Sequence, residues 1–206
     1  MEASFPLLFA AFVGFSHAFE ADHLVAVSSI VTRRERLLLA VKDGIYWGLG
    51  HTSTIVLIGL IMIIGRATFL DGLFGYFEAT VGLMLVILGF YRLYQYRQND
   101  GQSEQHDHPH EHQHHLAYGI GLVHGLAGSG AMILLVMTEV QGNVNSLLYL
   151  LIFGIGSIIG MLVAAGIFSL PFSRKITSNE FLKMGLVLLS SFLCIGYGLY
   201  VIIENL

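Results

Sequence analysis

The chain has 206 residues, of which 55% are hydrophobic and 12% charged, and its mean hydropathy is +0.72. A soluble domain carries roughly twice that share of charge, about 25%, so the composition predicts an integral membrane protein. The formal net charge of −4 says less than where the charges lie, and a single cysteine, Cys194, excludes an internal disulfide, a CxxC redox pair and a zinc site built on thiolates.

Taken in chain order, six apolar segments are long enough to cross about 30 Å of hydrocarbon as helices: 4–30, 43–65, 70–93, 116–138, 147–170 and 180–203. The start, "MEASF", has no basic stretch before the first apolar run, which therefore reads as a first span and not as a cleaved signal. The expected fold is all-α and integral to the membrane. It forms one domain over 1–206, divided into a three-helix half (1–93), a histidine-rich loop (94–115) and a second three-helix half (116–206).

The basic residues orient the spans. Arg33, Arg34, Arg36 and Lys42 lie between spans one and two, Arg92 and Arg97 between three and four, and Arg174, Lys175 and Lys183 between five and six; only Arg66 falls on the other side. By the positive-inside rule both termini face outward and the odd loops are cytoplasmic.

The two halves repeat one another. "GFSHAFEADHLVAV" of span one aligns with "GLVHGLAGSGAMIL" of span four, setting Gly14 on Gly121 and His17 on His124. "YWGLGHTST" of span two aligns with "IFGIGSIIG" of span five, setting Gly48 and Gly50 on Gly154 and Gly156. Spans three and six end in "LGFYRLY" and "IGYGLY". Because each half has an odd number of spans, the halves must be inverted in the bilayer, an architecture that places transport sites at the interface between repeats.

Span one carries "HAFEADH", with His17, Glu20, Asp22 and His23 in an apolar run. A carboxylate near the centre of a span costs about 2.5–3.5 kcal/mol on insertion scales, so these groups must face protein, water or a cation. At about 100° per residue, His17, Asp22 and His23 point around the whole helix and cannot all ligate one ion from an unbroken span. Either the helix is unwound here, or some of the three orient a ligand through its other ring nitrogen. His17, Glu20 and His23 form the tighter arc. Span two carries "GHTST", which brings His51 to a similar depth from the opposite side. Imidazole with carboxylate and no thiolate suits Ni, Co, Zn or Cu(II). His124, the counterpart of His17, is the next candidate ligand.

"HAFEADH" fits the HX4DH signature of the nickel/cobalt transporter family, and "LGHTSTIV" resembles that family's second signature in the following span. With six spans and this length the chain is similar to the short, UreH-like branch; the further acidic motifs that longer members carry in later spans are missing. The resemblance implies that His17, Asp22, His23 and His51 recognise nickel, with Glu20 in place of a family acidic residue. It implies a permease, not an enzyme, in the cytoplasmic membrane. It further implies uptake of Ni(II), with Co(II) as a second candidate substrate, and urease or hydrogenase maturation proteins or other cytosolic nickel chaperones as partners. No resident cofactor and no nucleic-acid partner are expected.

The loop before span four contains "HDHPHEHQHH", a flexible chelating tract on the cytoplasmic side that reads as a metal buffer. Passive import is energetically sufficient: a divalent cation gains about 4.6 kcal/mol across 100 mV, inside negative. Export would need proton antiport, with Glu20, Asp22 or Glu78 as carriers, and is the alternative direction. A membrane metallohydrolase would require an HExxH-type pair, and a thiol electron conduit a cysteine in each half; the chain has neither.

Overall fold

The computed structural model describes residues 4–31, 37–65, 72–99, 111–127, 142–172 and 180–206, and within them the chain is entirely helical. The helices are α1 (Ser4–His17), α2 (Ala21–Val31), α3 (Leu37–Gly65), α4 (Phe74–Asn99), α5 (Glu111–His124), α6 (Asn143–Ser169), which runs into a short 3-10 turn (Leu170–Phe172), and α7 (Glu180–Asn205). Four of them contain stretches long and apolar enough to cross a membrane: Leu37–Ile63, Phe74–Gln98, Asn143–Ser169 and Phe181–Asn205. The segments Leu7–His17 and Ala21–Val31 are apolar but shorter.

These two short helices are the two parts of the expected first span, and the break falls inside "HAFEADH". After His17 the chain tightens into i→i+3 bonds: the Phe19 amide donates to the Ser16 carbonyl at 2.9 Å and the Glu20 amide to the His17 carbonyl at 3.1 Å. The Glu20 carbonyl then accepts from the Leu24 amide at 3.0 Å, which starts α2. Each bond matters, because an unpaired backbone group in a water-poor interior costs several kcal/mol. Asp22 sits in the first turn of α2, where the helix macrodipole favours an anion. Helix α5 ends in the same way on His124, followed by a Gly125 amide to Gly121 carbonyl bond and a Leu126 to Val123 bond. Of the expected fourth span, residues 128–138 lie outside the described residues, as do the loops holding Arg33, Arg34, Arg36, Arg66, Arg174 and Lys175. Helix α5 begins at Glu111, five residues before the expected start of span four, and so takes in the end of the histidine-rich tract.

Glycines set the helix packing. A Cβ on Gly121 would strike the Trp47 carbonyl and one on Gly125 the His51 carbonyl, so α5 lies parallel to α3 with backbones almost touching. In the same way Gly156 faces the Ala11 carbonyl and Gly160 the Phe15 carbonyl, so α6 lies parallel to α1. Helices α3 and α6 cross antiparallel, with Gly44 against Met161, Gly48 against Ile158 and Gly154 against Thr52. Helices α4 and α7 do likewise through Gly82 against Gly198 and Gly89 against Ser191. Small residues are what allow such approach between helices in lipid.

These contacts come in matched pairs. Gly14 meets the Phe153 carbonyl as its counterpart Gly121 meets that of Trp47, and Gly156 meets Ala11 as Gly50 meets Tyr118. Gly48 on Ile158 matches Gly154 on Thr52. Among the described residues α1 packs on α6 much as α5 packs on α3. We expect Gly121→Val to cost at least the about 1–3 kcal/mol typical of overpacking, because the obstacle is backbone that cannot turn aside. Thermal unfolding followed by size-exclusion chromatography in detergent checks this, with Gly119→Ala, which meets nothing within 4 Å, as the silent control.

The molecule is apolar outside and polar within. Leu8, Phe12, Leu57, Ile87, Ile155 and Phe192 are each more than half exposed, while His17, His23, His51 and His124 are buried. In water that distribution would leave a large apolar surface exposed; in a bilayer it is the stable one. The basic residues Lys42, Arg92, Arg97 and Lys183 gather at one end, near the start of α3, the end of α4 and the start of α7.

Candidate metal centre

The break between α1 and α2 turns His17 and His23 toward each other, their ring centroids 4.5 Å apart. Helix α3 brings His51 to both, at 5.3 Å from the His17 ring and 5.1 Å from the His23 ring. One ligand nitrogen from each of the three lies within 4.8 Å of the others. His23 and His51 are fully buried and His17 is 5% exposed.

The ring nitrogens differ in what they face. His17 Nδ1 is 2.9 Å from Glu20 Oε1, and His23 Nδ1 is 2.9 Å from Asp22 Oδ1. The other oxygen of Asp22 is 2.9 Å from His124 Nε2. An ionised carboxylate only accepts, so in the neutral rings the proton sits on the nitrogen facing the acid. That leaves the lone pair of His17 and His23 on Nε2. His17 Nε2, His23 Nε2 and both nitrogens of His51 are buried with no hydrogen-bond partner. Buried polar atoms are almost always paired, and three buried imidazoles this close together, each with an unpartnered nitrogen, fit a cation.

The six expected site residues are thus brought together in two layers. His17, His23 and His51 face one another. Glu20 and Asp22 lie against the Nδ1 atoms of His17 and His23, the arrangement that in metal sites fixes a ligand's tautomer and raises its basicity. His124 meets Asp22, its own Nδ1 unpartnered; with Asp22 and His23 it forms a second group of closely spaced ligand atoms. Of the two alternatives the sequence left open, the broken helix is present, and Glu20 and Asp22 lie against imidazole nitrogens.

Sequence reading missed Trp47. It is fully buried one turn before His51, with its ring 5.7 Å from His23 and 5.8 Å from His124. Its i, i+4 spacing to His51 was the available signal. Phe153 of α6, also fully buried, packs 5.5 Å from the His17 ring. On the other side a cavity of about 380 Å³ reaches Asp22 and Glu20; it is also lined by Glu78, Tyr197, Tyr200 and Glu204. Glu78 begins α4 and Glu204 ends α7, so this cavity lies toward the end away from the basic residues.

Fold and site define an all-helical, multi-pass membrane protein built around a buried nest of imidazoles backed by carboxylates. Over 185 residues the chain is 33% identical to the urease accessory protein UreH of Bacillus sp. (strain TB-90), an alignment covering 84% of this chain and 81% of that protein. The chain belongs to the nickel/cobalt transporter family, in its UreH-like short branch. No family model matches it. No solved structure matches it either.

Proposed function

We propose that the protein is a permease that carries Ni(II), and as a second substrate Co(II), inward across the cytoplasmic membrane. The observation that carries this reading is the trio of buried imidazoles with unpartnered nitrogens, and the ion that suits nitrogen ligands without sulfur is a borderline divalent one. The kinship with a urease accessory protein of Bacillus supports urease as a destination for the metal.

The path follows from the lining residues. A hydrated cation is drawn into the cavity by Glu20, Asp22, Glu78 and Glu204, four carboxylates with no basic residue among the described lining. It exchanges most of its waters for His17, His23 and His51. Trp47, packed against His23 and His124, blocks the way onward to the basic end, which the positive-inside rule makes cytoplasmic. The matched glycine contacts support two inverted three-helix halves, and tilting one half against the other opens the inner side while closing the outer. The membrane potential alone drives this exchange inward, at about 4.6 kcal/mol for two charges across 100 mV.

The test is uptake of radioactive nickel by energised cells at matched expression. The wild type is expected to accumulate nickel, with cobalt competing. Glu20→Gln, which retains an acceptor for His17 but lowers its basicity, should reduce affinity by about 10–100-fold. Net loss of cellular nickel on expression of the wild type would reverse the direction assigned here.

A further inference from the structure

Helix α6 carries a buried hydroxyl that neither the packing nor the imidazole cluster uses. Ser157 is fully buried, and its Oγ has no hydrogen-bond partner among the described residues. A serine inside a helix can turn back on its own backbone, as Ser16, Ser53 and Ser146 do by donating to the carbonyl four residues earlier. Ser157 makes no such bond.

Helix packing fixes where it points. On α6, Gly156 and Gly160 face α1, against Ala11 and Phe15, while Gly154 and Ile158 face α3, against Thr52 and Gly48. At about 100° per residue Ser157 falls between these two faces, on the same side as Phe153 one turn earlier. The Phe153 ring lies 5.5 Å from that of His17. Along the helix axes, the contacts of Gly154 with Thr52 and of Ile158 with Gly48 bracket Ser157 and His51. Those of Gly156 with Ala11 and of Gly160 with Ala18 bracket Ser157 and His17. The hydroxyl is thus directed into the angle between α1 and α3, at the depth of the two imidazoles. The repeat gives the same placement independently: aligning "YWGLGHTST" with "IFGIGSIIG" sets His51 on Ser157. One half offers an imidazole there and the other a hydroxyl.

We infer that Ser157 is a specificity-determining residue of the metal site, its hydroxyl holding a water on the bound ion and so favouring Ni(II) over Zn(II). Zinc is complete at four ligands, so three imidazoles and one water from the cavity side satisfy it. Ni(II) takes a tetragonal set of nitrogen and oxygen ligands, which leaves further positions for water beside His17, His23 and His51. A serine hydroxyl accepts from such a water, whose protons the cation makes more acidic.

This inference rests on reading His17, His23 and His51 as the transport site, and the experiment separates the two. The full chain carrying His106→Asn, His108→Asn, His110→Asn, His112→Asn and His115→Asn, which strips competing imidazoles from the tract, is purified in detergent and titrated with nickel chloride and with zinc chloride. Adding Ser157→Ala should weaken nickel about 10–100-fold, the range for losing a group that supports a ligand, and leave zinc unchanged. X-ray absorption at the nickel edge should count one nitrogen or oxygen neighbour fewer, and Ser157→Thr should restore both readings. The metal-free melting temperature reports the fold, which loss of an unpartnered hydroxyl should not weaken. Equal nickel affinity with and without Ser157→Ala, or an equal loss for nickel and zinc, overturns the inference. His17→Ala with His51→Ala should abolish tight binding of both metals. Binding that survives those two changes overturns the transport site itself, and the inference with it.

Discussion

Replacing His51 by leucine is expected to abolish nickel transport and to raise the melting temperature of the metal-free protein. Both nitrogens of this fully buried ring lack a partner. Mutational data put such a desolvated, unpaired group at about 1–3 kcal/mol. Leucine has similar volume and no polar atom, so it fills the space against His17 and His23 without that cost. Loss of a ligand should exceed the about 10–100-fold penalty for losing a group behind one, so uptake should fall by more than about 100-fold. Opposite signs for stability and activity are the mark of a residue kept for its ligand. Parallel thermal melts and uptake assays read both, and a leucine variant that is destabilised while still transporting would contradict the assignment.

Asp22→Asn is the second large effect. The Asp22 carboxylate accepts from His23 with one oxygen and from His124 with the other. Asparagine has the same shape but a single acceptor oxygen; its other end donates. One ring must then give up its proton or turn away, and if it is His23 the lone pair moves off Nε2, away from His17 and His51. Affinity should fall by at least about 10–100-fold with the fold intact. Thermal shift measures this directly. A ligand at 100 times its dissociation constant stabilises the native state by about 2.7 kcal/mol, so the variant should need at least about ten times more nickel for the same rise in melting temperature.

How much could be read beforehand depended on whether the physics was local. The interruption of span one was legible as one of two alternatives, because His17, Asp22 and His23 point in incompatible directions on an intact helix, and the chain does break at Ala18–Glu20. The matching of Gly14 with Gly121 and of Gly50 with Gly156 was legible as an alignment, and each pair meets the same kind of backbone obstacle. The division of labour within "HAFEADH" was not legible. It depends on Asp22 reaching His124 on another helix, and no spacing within one segment encodes that.

Whether a divalent transition metal sits among His17, His23 and His51 can be seen by anomalous diffraction at the nickel absorption edge from crystals of the full chain grown with nickel chloride. An anomalous peak enclosed by those three rings is expected, within bonding distance of His17 Nε2 and His23 Nε2. Strong nickel peaks confined to the histidine-rich tract, with none among the three rings, would contradict it.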